Sequence, residues 1–343
     1  MAPTMPDVPD PTGTTPDTIV GPAPRTVGAA LDRLRADFAA CGIETADIDA
    51  RRLVASASAM STAELIAAPE HGLSAEQWQR LDAYRRRRLA REPVSRILGR
   101  RGFWKGTFEI NPAVLDPRPE SETLISAAAE LIATNGRSGA ALTIADLGTG
   151  SGALLASLLG EFANARGVAT DISLEALALA RRNCDALGVG ARARFVQTSW
   201  LGGITARFDL IVTNPPYVAS GDIVGLAPEV ARHDPRGALD GGVDGLSAYR
   251  EISQLLARSL APGGLVLMEI GAGQGPAVAA ILAGVGIEVF ARASTILRDL
   301  SGRERCVAAS DGSGMQKKLL ETEDVRARVL RTESSKAHQE RRF

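Results

Sequence analysis

Apolar positions along the chain change their period as it proceeds. Val27, Leu31, Leu34 and Phe38 recur at helical spacing and stop at Gly42, which predicts one helix. Ser61-x-x-Glu64 and Ser74-x-x-Gln77 have the form of capping boxes, each side chain reaching the other residue's N–H, and they predict two more helix starts. Leu73 and Trp78 stand where a hydrophobic staple would sit around the second box. The helical pattern ends near Leu89. Residues 103–110 then alternate as a short hairpin, and Pro112, Pro117 and Pro119 stiffen the segment after it. From Leu142 onward, short apolar runs alternate with helical ones. Strands are predicted at 142–145, 167–170, 195–199, 208–213 and 265–270, with closing strands near Ile287 and Cys306. Helices are predicted at 153–159, from Ser173, across 248–260 and at 276–282. This alternation predicts an α/β fold with a seven-stranded, mostly parallel, Rossmann-like sheet behind a small N-terminal helical domain. The divisions expected are a leader at 1–25, a helical domain at 26–92, a linker with a β-hairpin at 93–125, an α/β domain at 126–310 and a polar tail at 311–343.

Composition narrows the function. The 343 residues are 45% hydrophobic, ordinary for a globular protein, and 39 Lys and Arg balance 40 Asp and Glu to a net charge of −1. A strongly basic surface is not indicated, so direct nucleic-acid binding is not expected. The first 25 residues are rich in Pro, Thr and Asp with no apolar run, which reads as a disordered leader, neither signal peptide nor membrane span. Cys41, Cys184 and Cys306 are far apart and make no metal spacing, so thiols in a reducing compartment, a cytoplasmic protein and no metal are expected. Arg85 to Arg88 and Arg91 read as solvated cations at the negative end of a helix dipole, or as a patch for an acidic partner or RNA. The stretch after Ser310 reads as a frayed tail or one solvated helix.

Two loops carry candidate chemistry. The strand at 142–145 runs into Asp146-Leu147-Gly148-Thr149-Gly150-Ser151-Gly152, whose glycines let the backbone approach a ligand and leave helix N-terminal N–H groups free. The glycines alternate strictly, unlike the Gly-x-Gly-x-x-Gly that seats a dinucleotide, and an acid precedes them; this fits a cationic nucleoside and argues against a NAD-dependent oxidoreductase. Asp146 is expected to face the cationic end of the ligand. Asp171, ending the next strand, either takes both ribose hydroxyls or caps the helix from Ser173, and Trp200 either covers a base or packs in the core. The second loop is Asn214-Pro215-Pro216-Tyr217. Its prolines remove two N–H donors and leave carbonyl acceptors, to which Asn214 adds a side-chain oxygen and Tyr217 a flat π face. Such a set suits a planar NH2, either a carboxamide or the exocyclic amine of a base. No His lies in this loop, and His71, His233 and His338 show no partner pattern of a base, so none is assigned.

Together these motifs resemble those of the class I S-adenosylmethionine-dependent methyltransferases. With Asn-Pro-Pro-Tyr the chain looks like the HemK/PrmC family of protein-(glutamine-N5) methyltransferases, which modify class I peptide chain release factors. Arg91-Glu92-Pro93, Ile97-Leu98-Gly99, Phe108 and the stretch 114–122 resemble that family's interdomain segment, and 239–246, Glu269-Ile270-Gly271 and 299–305 continue the likeness over about residues 26 to 309. The resemblance implies S-adenosylmethionine as cofactor, held by Asp146, Gly148, Thr149, Gly150, Ser151, Gly152, Asp171, Trp200 and Asn214. It implies a glutamine held by Asn214, Pro215, Pro216 and Tyr217 as the catalytic set. The front helical domain would grip the release factor or merely close over the active site. The chain departs from the family near Arg96, where an aromatic is common, at Asp116, where an aliphatic residue is common, and at Ser199, where an acid is frequent. An N6-adenine methyltransferase acting on DNA or RNA, and a noncatalytic S-adenosylmethionine-binding regulatory protein, are the alternatives.

Overall fold

A computed structural model describes residues 26–289, 296–299 and 301–312. The predicted leader at 1–25 and the tail after residue 312 lie outside the described residues. The chain divides into two compact units, residues 1–90 and 91–343. Among the described residues no helix is long and apolar enough to cross a membrane.

The first unit holds α1 (Val27–Ala40), α2 (Ala46–Ser58), α3 (Thr62–Ala67) and α4 (Ala75–Leu89). In α1 the predicted stripe Val27, Leu31, Leu34 and Phe38 is buried. Both capping boxes form: Ser61 and Glu64 bond reciprocally at the start of α3, as Ser74 and Gln77 do at the start of α4. Helix α2 was not predicted. Asp47, Asp49, Arg51 and Arg52 interrupt its apolar face of Leu53, Val54 and Ala57, but Asp49 is buried as an ion partner. Its Oδ2 accepts from Arg88 Nε at 2.8 Å, and Arg88 is only 4% exposed. Arg85 is bonded to Asp37, and Arg86 to Asp82 at 2.7 Å, so these three cations of the run have ion partners inside this unit; Arg85 and Arg88 are drawn in from solvent, while the Arg86 side chain stays 77% exposed, as a solvated helix end has it.

The second unit begins with α5 (Val94–Leu98) and the predicted hairpin, β1 (Arg100–Phe103) antiparallel to β2 (Gly106–Glu109). After α6 (Glu122–Thr134) come β3 (Thr143–Leu147), α7 (Ala153–Glu161), β4 (Arg166–Asp171), α8 (Leu174–Ala186), β5 (Ala193–Gln197) and β6 (Phe208–Thr213). A short α9 (Pro228–Ala231) precedes α10 (Ser247–Ser259), β7 (Leu260–Glu269), α11 (Gly275–Gly284), β8 (Glu288–Val289), β9 (Ile296–Arg298) and β10 (Glu304–Ser310). The strand order is β5-β4-β3-β6-β7-β10-β8. The first five run parallel and β10 is antiparallel to β7. The seventh position is shared: β8 pairs with one stretch of β10 and the unpredicted β9 with another.

Successive strand residues point to opposite faces, and each face is covered by helices. Ile144, Leu210, Val212 and Leu267 pack with α6 and α7; Ala145, Leu147, Ile211 and Met268 pack with α10 and α11. Both faces being buried explains why β3 and β6 read as near-continuous apolar runs.

Parallel register fixes the site. Leu147 pairs with Thr170 of β4 on one side and Thr213 of β6 on the other. The next residue of each strand is therefore Gly148, Asp171 or Asn214, all leaving the sheet at one level. Gly152 then starts α7 at φ +79°, where a Cβ would lie 2.9 Å from Ala180 Cβ and 3.0 Å from Ala180 Cα on α8. Both the left-handed backbone and the close helix exclude a side chain. Gly152→Ala is expected to lower stability by about 2–4 kcal/mol, read as a lower urea midpoint with unchanged slope; a midpoint equal to wild type would contradict this packing.

Candidate active site

A cavity of about 400 Å³ opens at the C-terminal ends of β3, β4 and β6. Gly148, Thr149, Gly150 and Ser151 line it, as do Asp171 and Trp200. Gly148 and Gly150 have φ of +68° and +54°, which open the turn for close approach; a Cβ on Gly148 would come within 3.5 Å of the Trp200 ring. Asp171 Oδ2 accepts from Gly150 N at 3.0 Å and Oδ1 from Ser173 N at 2.9 Å, tying the glycine turn to the following loop. Ser173, not Asp171, caps α8: its Oγ accepts from Ala176 N. The helix-cap alternative for Asp171 thus gives way to a carboxylate set in the cavity wall.

Trp200 stands at φ +51°, an unfavourable backbone for a bulky residue, and its Nε1 donates to Glu251 Oε2 at 2.7 Å. Glu251 also lines the cavity. Its part was not legible, because a carboxylate on α10 is paired with an indole 51 positions away.

Asp146 and Gly152 line neither this cavity nor the next. Asp146 is 1% exposed; its Oδ2 accepts from Thr149 Oγ1 at 2.6 Å and Leu155 N at 3.2 Å, while its Oδ1 has no partner among the described residues. Instead of facing a ligand directly, it holds the glycine turn from beneath. Burial, opposed by those two bonds, pushes its carboxyl up to about 7.

A second cavity, about 300 Å³, shares Leu115, Arg118, Asn214 and Ala238 with the first. Asn214 therefore lines both. Pro216 lines the first, Tyr217 the second, and Pro215 is buried and lines neither, so the acceptor expected of it is not in either wall. Tyr217 O is occupied by Gln274 Nε2 at 3.0 Å. Behind the loop, Asn214 Nδ2 donates to Ser121 Oγ at 3.0 Å, Ser121 Oγ donates to Glu269 Oε2, and Tyr217 OH donates to Glu269 Oε1 at 3.3 Å. Burial pushes the Glu269 carboxyl up to about 7 against the Ser121 bond and the Arg305 charge. Burial and the Glu269 charge raise the Tyr217 phenol, keeping it a donor.

Arg118, shared by both cavities, is held by Asp234, which also accepts from Arg96 at 2.6 Å. Arg96 further donates to Asn111 O and Val114 O at 2.8 and 2.7 Å. Among the described residues no cluster of three or more His, Cys, Asp or Glu offers a metal site.

The five-strand parallel run, the antiparallel β10 and a glycine turn facing an Asn-Pro-Pro-Tyr loop across one cavity define a class I methyltransferase fold. Residues 121–233 match the methyltransferase small domain, and residues 29–99 match the PrmC N-terminal domain. The release factor glutamine methyltransferase of Cereibacter sphaeroides is 45% identical over 82% of this chain and 98% of its own length. Those of Rhodospirillum rubrum and Caulobacter vibrioides are 43% and 42% identical, over 82% and 81% of this chain and 84% and 93% of theirs. The chain belongs to the release factor glutamine methyltransferase family. A solved ribosomal protein L11 methylase from Lactobacillus delbrueckii also aligns, with TM-score 0.40 and 23% identity over 59% of this chain and 84% of that one, a likeness that adds no further argument.

Asp146 gives a pH test. Its raised pKa means the folded state holds the proton more tightly, so between the model-peptide value and about 7 the unfolded chain ionises first and stability falls as pH rises. Asp146→Asn is expected to flatten this fall, shifting the wild-type-minus-mutant stability by up to about 4 kcal/mol from pH 4 to pH 8. Parallel urea midpoints across that range would contradict the buried carboxylate.

Proposed function

We propose that this chain transfers a methyl group from S-adenosylmethionine to the side-chain amide nitrogen of the glutamine in the Gly-Gly-Gln motif of class I peptide chain release factors, modulating translation termination. The observation that carries this reading is that Asn214 lines both cavities, one suited to the cofactor and one to the amide. The cofactor fits the first: a nucleoside with a charged arm needs a backbone that admits close approach at Gly148 and Gly150, a carboxylate at Asp171 for the ribose hydroxyls, and an aromatic face at Trp200. When bound, S-adenosylmethionine supplies an electrophilic methyl on sulfonium.

An amide nitrogen is a poor nucleophile because its lone pair is conjugated with the carbonyl, so positioning does most of the work. Asn214 gives its NH2 to Ser121, which leaves Oδ1 to accept an N–H of the substrate amide. Tyr217 offers the plane of that amide a flat surface, and Pro215 and Pro216 stiffen the loop. Fixing the nitrogen in line for displacement is worth several kcal/mol, up to about 7–11 in favourable cases. Accepting from the NH2 also stabilises the positive charge that grows on nitrogen, and the proton leaves afterward.

The helical front unit is proposed to bind the release factor, and three cysteines far apart in sequence fit a reducing, cytoplasmic location. The adenine alternative is not favoured, since the relatives are named for release factors and residues 29–99 match their N-terminal domain. Incubated with labelled S-adenosylmethionine, a release factor is expected to take label that the same factor lacking the Gly-Gly-Gln glutamine, DNA and RNA do not; label on nucleic acid instead would overturn the assignment. Asn214→Ala is expected to lower kcat by about 10²–10³-fold while cofactor affinity by calorimetry stays within a few fold. Wild-type turnover in that variant would sink the mechanism.

A further inference from the structure

Asn214 is the surface end of a polar row that runs inward. Asn214 and Tyr217 lie on the loop after β6, Ser121 ends the short turn Pro119–Ser121 before α6, and Glu269 ends β7. Glu269 thus meets both side chains assigned to the substrate amide, Tyr217 directly and Asn214 through Ser121.

A serine hydroxyl has one proton to give. An ionised carboxylate is acceptor only, so ionised Glu269 takes that proton and leaves Ser121 with lone pairs alone toward Asn214. Asn214 must then turn its NH2 to Ser121 and its Oδ1 away, as observed. With a proton on Glu269 Oε2 the direction reverses: Glu269 donates to Ser121, whose own proton is freed for Asn214 Oδ1. The amide then gains by turning over, and it presents NH2 to the substrate's NH2, donor against donor.

We propose that Glu269 is a positioning residue that sets the polarity of Asn214 through Ser121, so that the loop accepts a substrate amide only while Glu269 is ionised. This rests on the reading of Asn214 as the acceptor for that amide. Several groups face Glu269. Arg305, itself paired with Asp299 at 3.2 Å, favours its charge, and Glu120 opposes it. Tyr217 donates to its carboxylate, the Tyr249 hydroxyl donates to its backbone carbonyl at 3.0 Å, and the buried Cys306 thiol is neutral beside it, raised by burial. Arg118 and Arg305 share the second cavity with it. Burial brings its titration up to about 7, within the range where an enzyme assay reads it.

The test is kcat/KM for a release factor from about pH 5.5 to about pH 9, with cofactor affinity measured at each pH. Wild type is expected to lose about tenfold per pH unit below the Glu269 titration while cofactor affinity stays level. Glu269→Gln, whose amide can always donate to Ser121, is expected to hold a low kcat/KM with no acid limb. Ser121→Ala removes only a hydroxyl, and is expected to lose roughly tenfold at pH 8 and to flatten the limb in the same way. An unchanged wild-type acid limb in Ser121→Ala overturns the proposal, whatever becomes of Glu269→Gln. Asn214→Ala separates the two levels: activity there sinks the reading of the loop, whereas an inactive Asn214→Ala beside an unaltered Ser121→Ala profile sinks this inference alone.

Discussion

The pairing of β3 between β4 and β6 sets where everything else in the second unit can be. Its register places Leu147, Thr170 and Thr213 in one row, and side chain and backbone lock that row just where the strands end. Thr213 Oγ1 donates to Leu147 O at 2.9 Å, and Thr149 N donates to Thr170 O at 2.9 Å. A slip of one residue in either pair would turn buried side chains to the wrong face and part the glycine turn, Asp171 and Asn214. Because both faces of the sheet are covered, such a slip is heavily penalised, and the site inherits the rigidity of the core.

The segment before α6 is tied to that frame by polar groups that have no place in isolation. Asn183 on α8, 3% exposed, accepts from Glu109 N and donates to Glu109 O and Ser151 O, so the hairpin and the glycine turn share one amide. Two charged residues of this segment are held by polar partners as well. Arg96 is buried against Asp234, and Asp116 accepts from Ser95 with Arg101 at 3.8 Å. A buried ion without its partner is strongly destabilising, so these residues read as sets and not as single changes. Asp234 in turn holds Arg118 between the two cavities, which links Arg96 to the site wall.

What the sequence made legible was local. Residues 208–213 were found to the residue, both capping boxes formed, and the glycine turn and Asn-Pro-Pro-Tyr loop met at one cavity, because period, caps and turn residues are short-range signals. What stayed hidden depended on distant partners. Helix α2 carries a buried aspartate made tolerable by Arg88, 39 positions on, together with the Thr45 hydroxyl. β7 begins at Leu260, five residues before the apolar run, since Pro262, Gly263 and Gly264 read as a turn while the backbone pairs across an irregularity with β6. Ser121, Glu251 and Glu269 gave no sign of their part, each being joined to its site partner by a side chain from 51 to 148 positions away.

Glu269 shows how stability and function pull apart. Burial favours its neutral form, so the fold alone would keep the proton. The acceptor at Asn214 works only if the proton is gone. Arg305 and the two hydroxyl donors supply what burial removes, and they bring the carboxyl to about 7 instead of leaving it far higher. Were Glu269 exposed, it would be ionised at no cost, but Ser121 would exchange it for water and the direction of the row would be lost. Buried and partly charged, it is strained enough to titrate near neutrality and constrained enough to tell Asn214 which way to face.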